Sequence, residues 1–217
     1  MGSRMKPTFL LPSLLLVLLA TPGLPSLPPA WSQQQVDSRG PDQVVKATIE
    51  DVMEAIRSDP AAGAGDPDRI YQIVQQRFLP STDFMLATQY AVGGAWANAT
   101  PAQRDALFKQ FQTLLARTYA LQLTQIQGQD TRFKYAPVAR PAAGANDAVV
   151  KTTVITGGDT MPIDYRLRKT GAGWKIYDIN MMGAWMIEVY RRQFAAQLRS
   201  GGIDGLIRYL AAHNASA

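Results

Sequence analysis

Three short segments in the second half of the chain alternate apolar and polar side chains with a period of two. In the second segment Ile163, Tyr165 and Leu167 alternate with charged residues, and Trp174 begins the same alternation in the third. Because side chains on a strand point to opposite faces in turn, this pattern predicts a sheet with one broad apolar face and one charged face. The turn Thr170-Gly171-Ala172-Gly173 predicts an antiparallel hairpin between the second and third segments. If helices pack tightly against the apolar face, that face belongs to an ordinary core. If the helices lie further from the sheet, the apolar face lines a cavity.

The first half of the chain carries helical signals. Apolar residues recur at helical spacing from Pro41 to Ser58, and Asp66-Pro67 has the residue types of an N-cap followed by a first helical proline. The sharpest signal is Thr100-Pro101-Ala102-Gln103, which predicts a capping box and a long helix to about Ile126. The segment Pro60-Ala61-Ala62-Gly63-Ala64-Gly65 between the first two helices reads as a loop.

The second half adds one more strand and two helices. Residues 131–138 alternate as a first strand, and a helix is predicted from Met186 to the break at Gly201-Gly202. A short last helix follows to about Ala212. The prediction is an α+β fold with a mainly antiparallel four-stranded sheet. Its helical part spans 41–127, and its sheet and C-terminal helices span 131–212.

The amino terminus has the pattern of a secretory signal peptide. Arg4 and Lys6 precede an apolar run from Phe9 to Ala20, and Ala30-Trp31-Ser32 offers small residues for cleavage. The run is shorter than the roughly 20 residues that a membrane-spanning helix needs. We predict a signal peptide over 1–32 and one mature domain over 33–217, with an uncleaved anchor as the alternative.

Composition excludes several kinds of chemistry. The 217 residues include one His and no Cys, which excludes disulfides, acylation of a cleavage-site Cys and thiolate nucleophiles. His213 stands four residues from the carboxyl terminus, so no imidazole-based zinc site or serine triad is expected. The formal charge of +5 falls to +3 without Arg4 and Lys6. For an exported protein this charge indicates attraction to anionic surfaces or head groups, not nucleic acid. No cofactor or metal is expected.

One carboxylate and one methionine-rich junction remain as functional candidates. Asp178, near the end of a strand, is the best-placed acid, and burial would raise its pKa. The alternative is that it pairs with an arginine such as Arg191 or Arg192, or caps the turn after the strand. The run Met181-Met182-Gly183-Ala184-Trp185-Met186 either lines a site for a changeable apolar ligand or fills an irregular junction.

Several motifs taken together resemble one family, the MlaC or toluene-tolerance (Ttg2) auxiliary family of periplasmic phospholipid-binding proteins. The resemblance covers about Gln43 to Leu210. The pieces that carry it are Phe78-Leu79-Pro80, the run Ala99–Phe108 with Phe111 and Tyr119, Gly173-Trp174-Lys175-Ile176-Tyr177-Asp178, Gly183 with Tyr190-Arg191 and Phe194, and Gly202-Ile203-Asp204-Gly205-Leu206. The residue after Gly183-Ala184, where the family usually carries a small polar residue, is Trp185 here.

The resemblance implies a carrier, not an enzyme, with no catalytic residue. It implies that several helices pack on one face of the four-stranded sheet, with a deep apolar cavity between them. Acyl chains would enter this pocket while the head group faces solvent, and the protein would act as a periplasmic monomer. It would shuttle phospholipid between an outer-membrane lipoprotein complex and an inner-membrane MCE-protein/ABC-transporter complex. A hopanoid is an alternative ligand, because a related branch is associated with hopanoid genes. The hypothetical pocket lining is Ile73, Phe78, Phe84, Met85, Trp96, Phe108, Phe111, Leu115, Ile163, Tyr165, Leu167, Trp174, Ile176, Met182, Trp185 and Met186.

Two other classes of protein stay open from the residues alone. A small cone-shaped α+β enzyme would use Asp178 as a base in an apolar cavity. An adaptor that binds only protein partners would have a filled core.

Overall fold

The helices and the sheet occupy separate parts of the chain, in the order that the sequence predicts. The computed structural model describes residues 38–125, 131–137 and 144–216, all within one compact unit of residues 35–217. The predicted signal peptide and the predicted end of the long helix near Ile126 lie outside the described residues. Among the described residues, no helix combines the length and the apolar character that a bilayer crossing needs.

In the described part of the chain, five α-helices precede the sheet and one follows it. Their bounds are α1 Pro41–Ser58, α2 Pro60–Gly63, α3 Pro67–Ile73, α4 Phe84–Val92, α5 Pro101–Gln125 and α6 Met186–Ser216. A π-helical turn, Val74–Phe78, and a 3-10 turn, Leu79–Ser81, connect α3 to α4, and a second 3-10 segment, Gly93–Asn98, leads to α5. A kink at Gly202 (φ 60°, ψ −160°) divides α6. The predicted break is therefore confirmed, and the segment after it extends beyond its predicted end.

The capping predictions are confirmed by hydrogen bonds. The Gln103 amide donates to Thr100 Oγ1 at 3.2 Å, and the Thr100 amide donates to Gln103 Oε1 at 3.0 Å. Asp66 accepts from the amides of Asp68 and Arg69 at the start of α3. The predicted loop after α1 is wrong, because α2 forms one helical turn there. Its N-cap is Asp59, whose Oδ1 accepts from two amides of that turn.

The sheet is antiparallel throughout, with the strand order β1-β2-β3-β4-β5. Its strands are β1 Arg132–Tyr135, β2 Asp147–Thr156, β3 Asp159–Thr170, β4 Gly173–Met181 and β5 Ala184–Trp185. The prediction of four strands missed β5, which pairs with the end of β4. Met182 (φ 50°) and Gly183 (φ 89°) form a tight turn, and Asn180 Oδ1 accepts from the Gly183 amide at 2.8 Å. This hairpin follows those that join β2 to β3 and β3 to β4, so the chain makes a third tight hairpin before it enters α6.

A bulge in the β3–β4 pair sets which side chains face the helices. Arg166 pairs with Asp178 and Leu167 pairs with Ile176, so Tyr177 is an extra residue. The bulge reverses the alternation of β4. Ile176 before it and Ile179 after it therefore lie on the same, apolar face. It also places Asp178 beside Arg166 on the opposite face, where unbroken alternation would have put this carboxylate on the apolar face.

The helices pack on one face of the sheet around three buried clusters. The first joins α4, α5 and α6 around Phe111 and Phe194. The second packs α1 against the sheet around Val45 and Leu167, and the third joins α1, α3 and α5 around Ile70 and Ala120. These separate clusters leave space between the sheet and the helices instead of forming one continuous core.

Candidate functional site

An apolar cavity of about 240 Å³ lies between the sheet and the helices. Packed protein interiors contain few voids larger than a water molecule, so this space is unlike the inside of an ordinary core. Its lining residues are Ile49, Val52, Met53, Val74, Phe78, Leu79, Thr82, Phe84, Ala87, Phe111, Gln112, Leu115, Ala116, Tyr119, Leu123, Phe133, Val154, Met161, Ile163, Tyr165, Ile176, Tyr177, Asp178, Ile179, Met181, Met186 and Ile187.

Large and small side chains on the helices keep the cavity open. Phe111, Leu115 and Tyr119 recur at four-residue spacing on α5 and present one stripe to the cavity. Ala116 on the same helix and Ala87 on α4 also line it. Because an alanine side chain is a single methyl group, these two positions leave volume that a larger residue would occupy.

The π-helical turn and the 3-10 turn after it form an irregular wall of the cavity. Val74, Phe78 and Leu79 from these turns line it. π-helical turns are rare and occur frequently at functional sites. The wall is tied to β4, because the Asp83 amide donates to the Ile176 carbonyl at 2.8 Å and Lys175 Nζ donates to the Pro80 carbonyl at 2.6 Å.

The hydroxyl groups near the cavity are uncharged. Burial raises the pKa of Tyr119, whose hydroxyl donates to the Met186 sulfur. Burial also raises the pKa of Tyr165. The cavity wall is therefore neutral except at Asp178. In the part of the chain that the structure describes, no group of His, Asp and Glu residues is arranged to hold a metal ion.

Asp178 is a buried carboxylate with three donors. Its Oδ1 accepts from the amides of Ile179 at 3.0 Å and Ile187 at 3.1 Å, and its Oδ2 accepts from Arg166 Nη1 at 3.2 Å. Burial raises the pKa of Asp178, while the Ile187 amide and Arg166 act in the opposite direction. The expected pairing of Asp178 with an arginine is confirmed, but the partner is Arg166 and not Arg191 or Arg192, because the bulge places Asp178 beside Arg166. Asp178 instead joins the sheet to the first turn of α6.

Eight of the sixteen residues proposed from the sequence line this cavity. They are Phe78, Phe84, Phe111, Leu115, Ile163, Tyr165, Ile176 and Met186. They come from six elements, namely the π-helical turn, α4, α5, β3, β4 and α6, and the fold brings them around one space.

The other eight lie elsewhere. Four are buried in the packed clusters: Ile73, Trp96, Leu167 and Trp174. Phe108 packs edge-on against Phe84, with ring centroids 5.7 Å apart. Met85 and Met182 are 42% and 73% exposed. The Trp185 ring lies on the outer side of the sheet, 3.8 Å from the Arg166 guanidinium carbon.

Sequence reasoning missed lining residues from α1 and from the sheet. Ile49, Val52 and Met53 were visible as the apolar stripe of α1, but nothing in that stripe shows which residues meet a partner and which meet a void. Ile179 and Met181 were missed because the bulge reverses the alternation of β4.

Comparisons with known proteins agree with this architecture. The family model described as MlaC protein matches residues 46–212. The chain is 26% identical over 147 residues to the "Intermembrane phospholipid transport system binding protein MlaC" of Haemophilus influenzae, covering 65% of this chain and 67% of that protein. It is 22% identical over 196 residues to the "Toluene tolerance protein ttg2D" of Pseudomonas putida, covering 88% and 83%.

A solved structure is similar over most of the chain. It is a phospholipid-binding protein from Ralstonia solanacearum in complex with a phospholipid. The TM-score is 0.75 at 38% sequence identity, covering 81% of this chain and 97% of that one.

Proposed function

This chain belongs to the MlaC family, and we propose that it carries phospholipid by holding the acyl chains in the apolar cavity. The observation that supports this most directly is the cavity itself, because its wall combines apolar side chains from the sheet, α1, α4, α5 and α6. The similar Ralstonia solanacearum protein was solved with a phospholipid.

Burial of hydrocarbon supplies the affinity in this proposal. Each buried methylene contributes about 0.8 kcal/mol, so roughly a dozen methylenes supply about 10 kcal/mol before the cost of association. Bonds to the head group are not needed for that gain. We therefore expect phospholipids with different head groups to bind with similar affinity.

The carrier is proposed to act as a periplasmic monomer after its signal peptide, residues 1–32, is removed. Its proposed partners are an outer-membrane lipoprotein complex and an inner-membrane MCE-protein/ABC-transporter complex. Membership of the family and the printed name of the Haemophilus influenzae relative, a phospholipid transport system binding protein, support this role.

The contacts of Asp178 favour a carrier over an enzyme that uses this residue as its base. A general base must reach the proton that it removes with an available lone pair. Three donors occupy most of the roughly four lone-pair sites of the Asp178 carboxylate, and its Oδ1 holds the start of α6. We propose that Asp178 positions the wall of the cavity and takes no part in chemistry.

The test is to purify the protein from cells, record native mass spectra and identify the extracted lipid. We expect a phospholipid in the protein, exchange of that lipid with phosphatidylglycerol vesicles, and similar lipid content in Asp178→Asn where the variant folds. Recovery of a polycyclic lipid alone would overturn the assignment to phospholipid. Ligand-free protein that takes up no lipid from vesicles would overturn the carrier proposal itself.

A further inference from the structure

A second, polar cleft of about 190 Å³ lies beside the apolar cavity. Its lining residues are Tyr90, Arg166, Tyr177, Asp178, Ile187, Glu188 and Arg191. Three of them, Tyr177, Asp178 and Ile187, also line the apolar cavity. The two spaces therefore share a wall, but their chemistry differs, because guanidinium groups and tyrosine rings surround the second.

Arg191 is held in this cleft with hydrogen-bonding capacity to spare. Its Nε donates to the Tyr90 carbonyl at 2.8 Å, which fixes the guanidinium at the cleft. Among the described residues, no acceptor bonds its Nη1 or Nη2. An arginine fixed through Nε presents those two nitrogens as a ready-made fork for a planar or tetrahedral oxyanion.

Arg166 and Tyr177 add donors on the sheet side. The Arg166 guanidinium is fixed on one side by the Trp185 ring, 3.8 Å away, and at one nitrogen by Asp178 at 3.2 Å. The Tyr177 hydroxyl has no hydrogen-bond partner in the described part of the chain. Both side chains are held by packing, so the loss of conformational entropy when an anion binds to them would be small.

The formal charges around the cleft sum to zero. Asp178 offsets Arg166, and the Glu188 carboxylate offsets Arg191. Arg168 lies nearby, with its guanidinium carbon 5.8 Å and 5.7 Å from the centroids of the Tyr90 and Tyr177 rings. It is paired in part with Asp147 at 3.4 Å. Affinity for an anion therefore depends on the placement of the arginine and tyrosine donors, and Glu188 is the group that limits binding.

We propose that this cleft is a second binding site, which takes a phosphate group between Arg191, Arg166 and the Tyr177 hydroxyl. The polar lining suits a phosphate with a small substituent, not an acyl chain. The phosphate belongs either to free phosphate or to the head group of a lipid. The start of α6 contributes no donor from Ile187, because Asp178 already accepts from that amide.

The test follows backbone amide NMR shifts while the full mature protein is titrated in separate experiments with inorganic phosphate and with glycerophosphoethanolamine. We expect saturable shifts at Tyr90, Tyr177 and Arg191 with either probe. Equal affinities identify the free phosphate group as sufficient, and tighter binding of glycerophosphoethanolamine identifies the lipid head group as the source. No saturation of shifts at these residues up to about 50 mM of either probe would overturn the proposal.

Three substitutions in α6 distinguish binding at this site from general charge attraction. Arg191→Gln should weaken phosphate binding about tenfold or more, because it removes the charged fork. Glu188→Gln should tighten binding about threefold, because it removes the opposing charge. Arg192→Gln is the matched control, since Arg192 is exposed and does not line the cleft. Equal effects of Arg191→Gln and Arg192→Gln would show only general charge attraction and would overturn the site. Lipid content, measured by native mass spectrometry, is expected to stay unchanged in all three variants, so this proposal and the carrier proposal fail separately.

Discussion

Filling the cavity from one alanine should strongly weaken lipid binding while leaving the protein folded. Ala116 is 5% exposed and lines the cavity from α5. In Ala116→Phe the added ring enters existing space instead of a packed contact. At about 25 cal/mol per Å², burial of roughly 80 Å² of ring contributes up to about 2 kcal/mol, so the lipid-free variant should be as stable as the parent or more stable.

The same ring removes room for the ligand. It displaces roughly four methylene groups, and at about 0.8 kcal/mol each the lost burial is about 3 kcal/mol. That loss corresponds to a weakening of lipid affinity by more than 100-fold. Uptake of a fluorescent phospholipid from vesicles measures the loss, and urea denaturation of the delipidated protein measures the stability.

Ala120→Phe is the matched control. Ala120 lies one helical turn further along α5, is 1% exposed and is packed in the cluster of α1, α3 and α5, outside the cavity lining. The same ring there overpacks a filled core and should cost about 1–3 kcal/mol of stability. If Ala116→Phe loses as much stability as Ala120→Phe and still takes up lipid, the space beside Ala116 is not the ligand site.

Three further substitutions test the polar contacts of the fold. Burial raises the pKa of Asp178, so its contribution to stability falls as pH rises through that raised pKa. In urea denaturation, the stability of the parent relative to Asp178→Asn should therefore decrease from about pH 4 to about pH 7, and an increase would contradict this reasoning. The Tyr135 hydroxyl is buried without a partner among the described residues, and burial raises its pKa to about 12. Tyr135→Phe should raise the free energy of unfolding by about 1 kcal/mol, and a loss of that size would reveal a bond to the hydroxyl. Thr100→Ala removes the N-cap of α5 and should cost about 1 kcal/mol, while an unchanged unfolding midpoint would show that the capping box contributes nothing.

Much of the fold could be predicted because its signals are local. The capping box at Thr100 and Gln103 depends on residues three positions apart, and the hairpin after β3 depends on two glycines in a four-residue turn. The strand β5 was missed because only two residues form it, and its turn places Met182 at a positive φ that few non-glycine residues adopt.

Only half of the residues predicted for the candidate site line the cavity, for a different reason. The apolar stripes identified faces that must be buried. Leu167 and Phe111 both belong to such stripes, and the sequence does not distinguish them further. Leu167 on β3 is packed in the cluster that joins α1 to the sheet, whereas Phe111 on α5 lines the cavity. Whether a buried face meets a side chain or a cavity depends on elements distant in sequence.

The sequence by itself determined the α+β order, the helix starts and the apolar face of the sheet, because periodicity and capping act over a few residues. Only the tertiary structure decided where the helices stand away from that face, which partner Asp178 takes, and that a polar cleft shares a wall with the apolar cavity. Those outcomes depend on the bulge at Tyr177 and on the separation of three packed clusters, and both arise from contacts between distant parts of the chain.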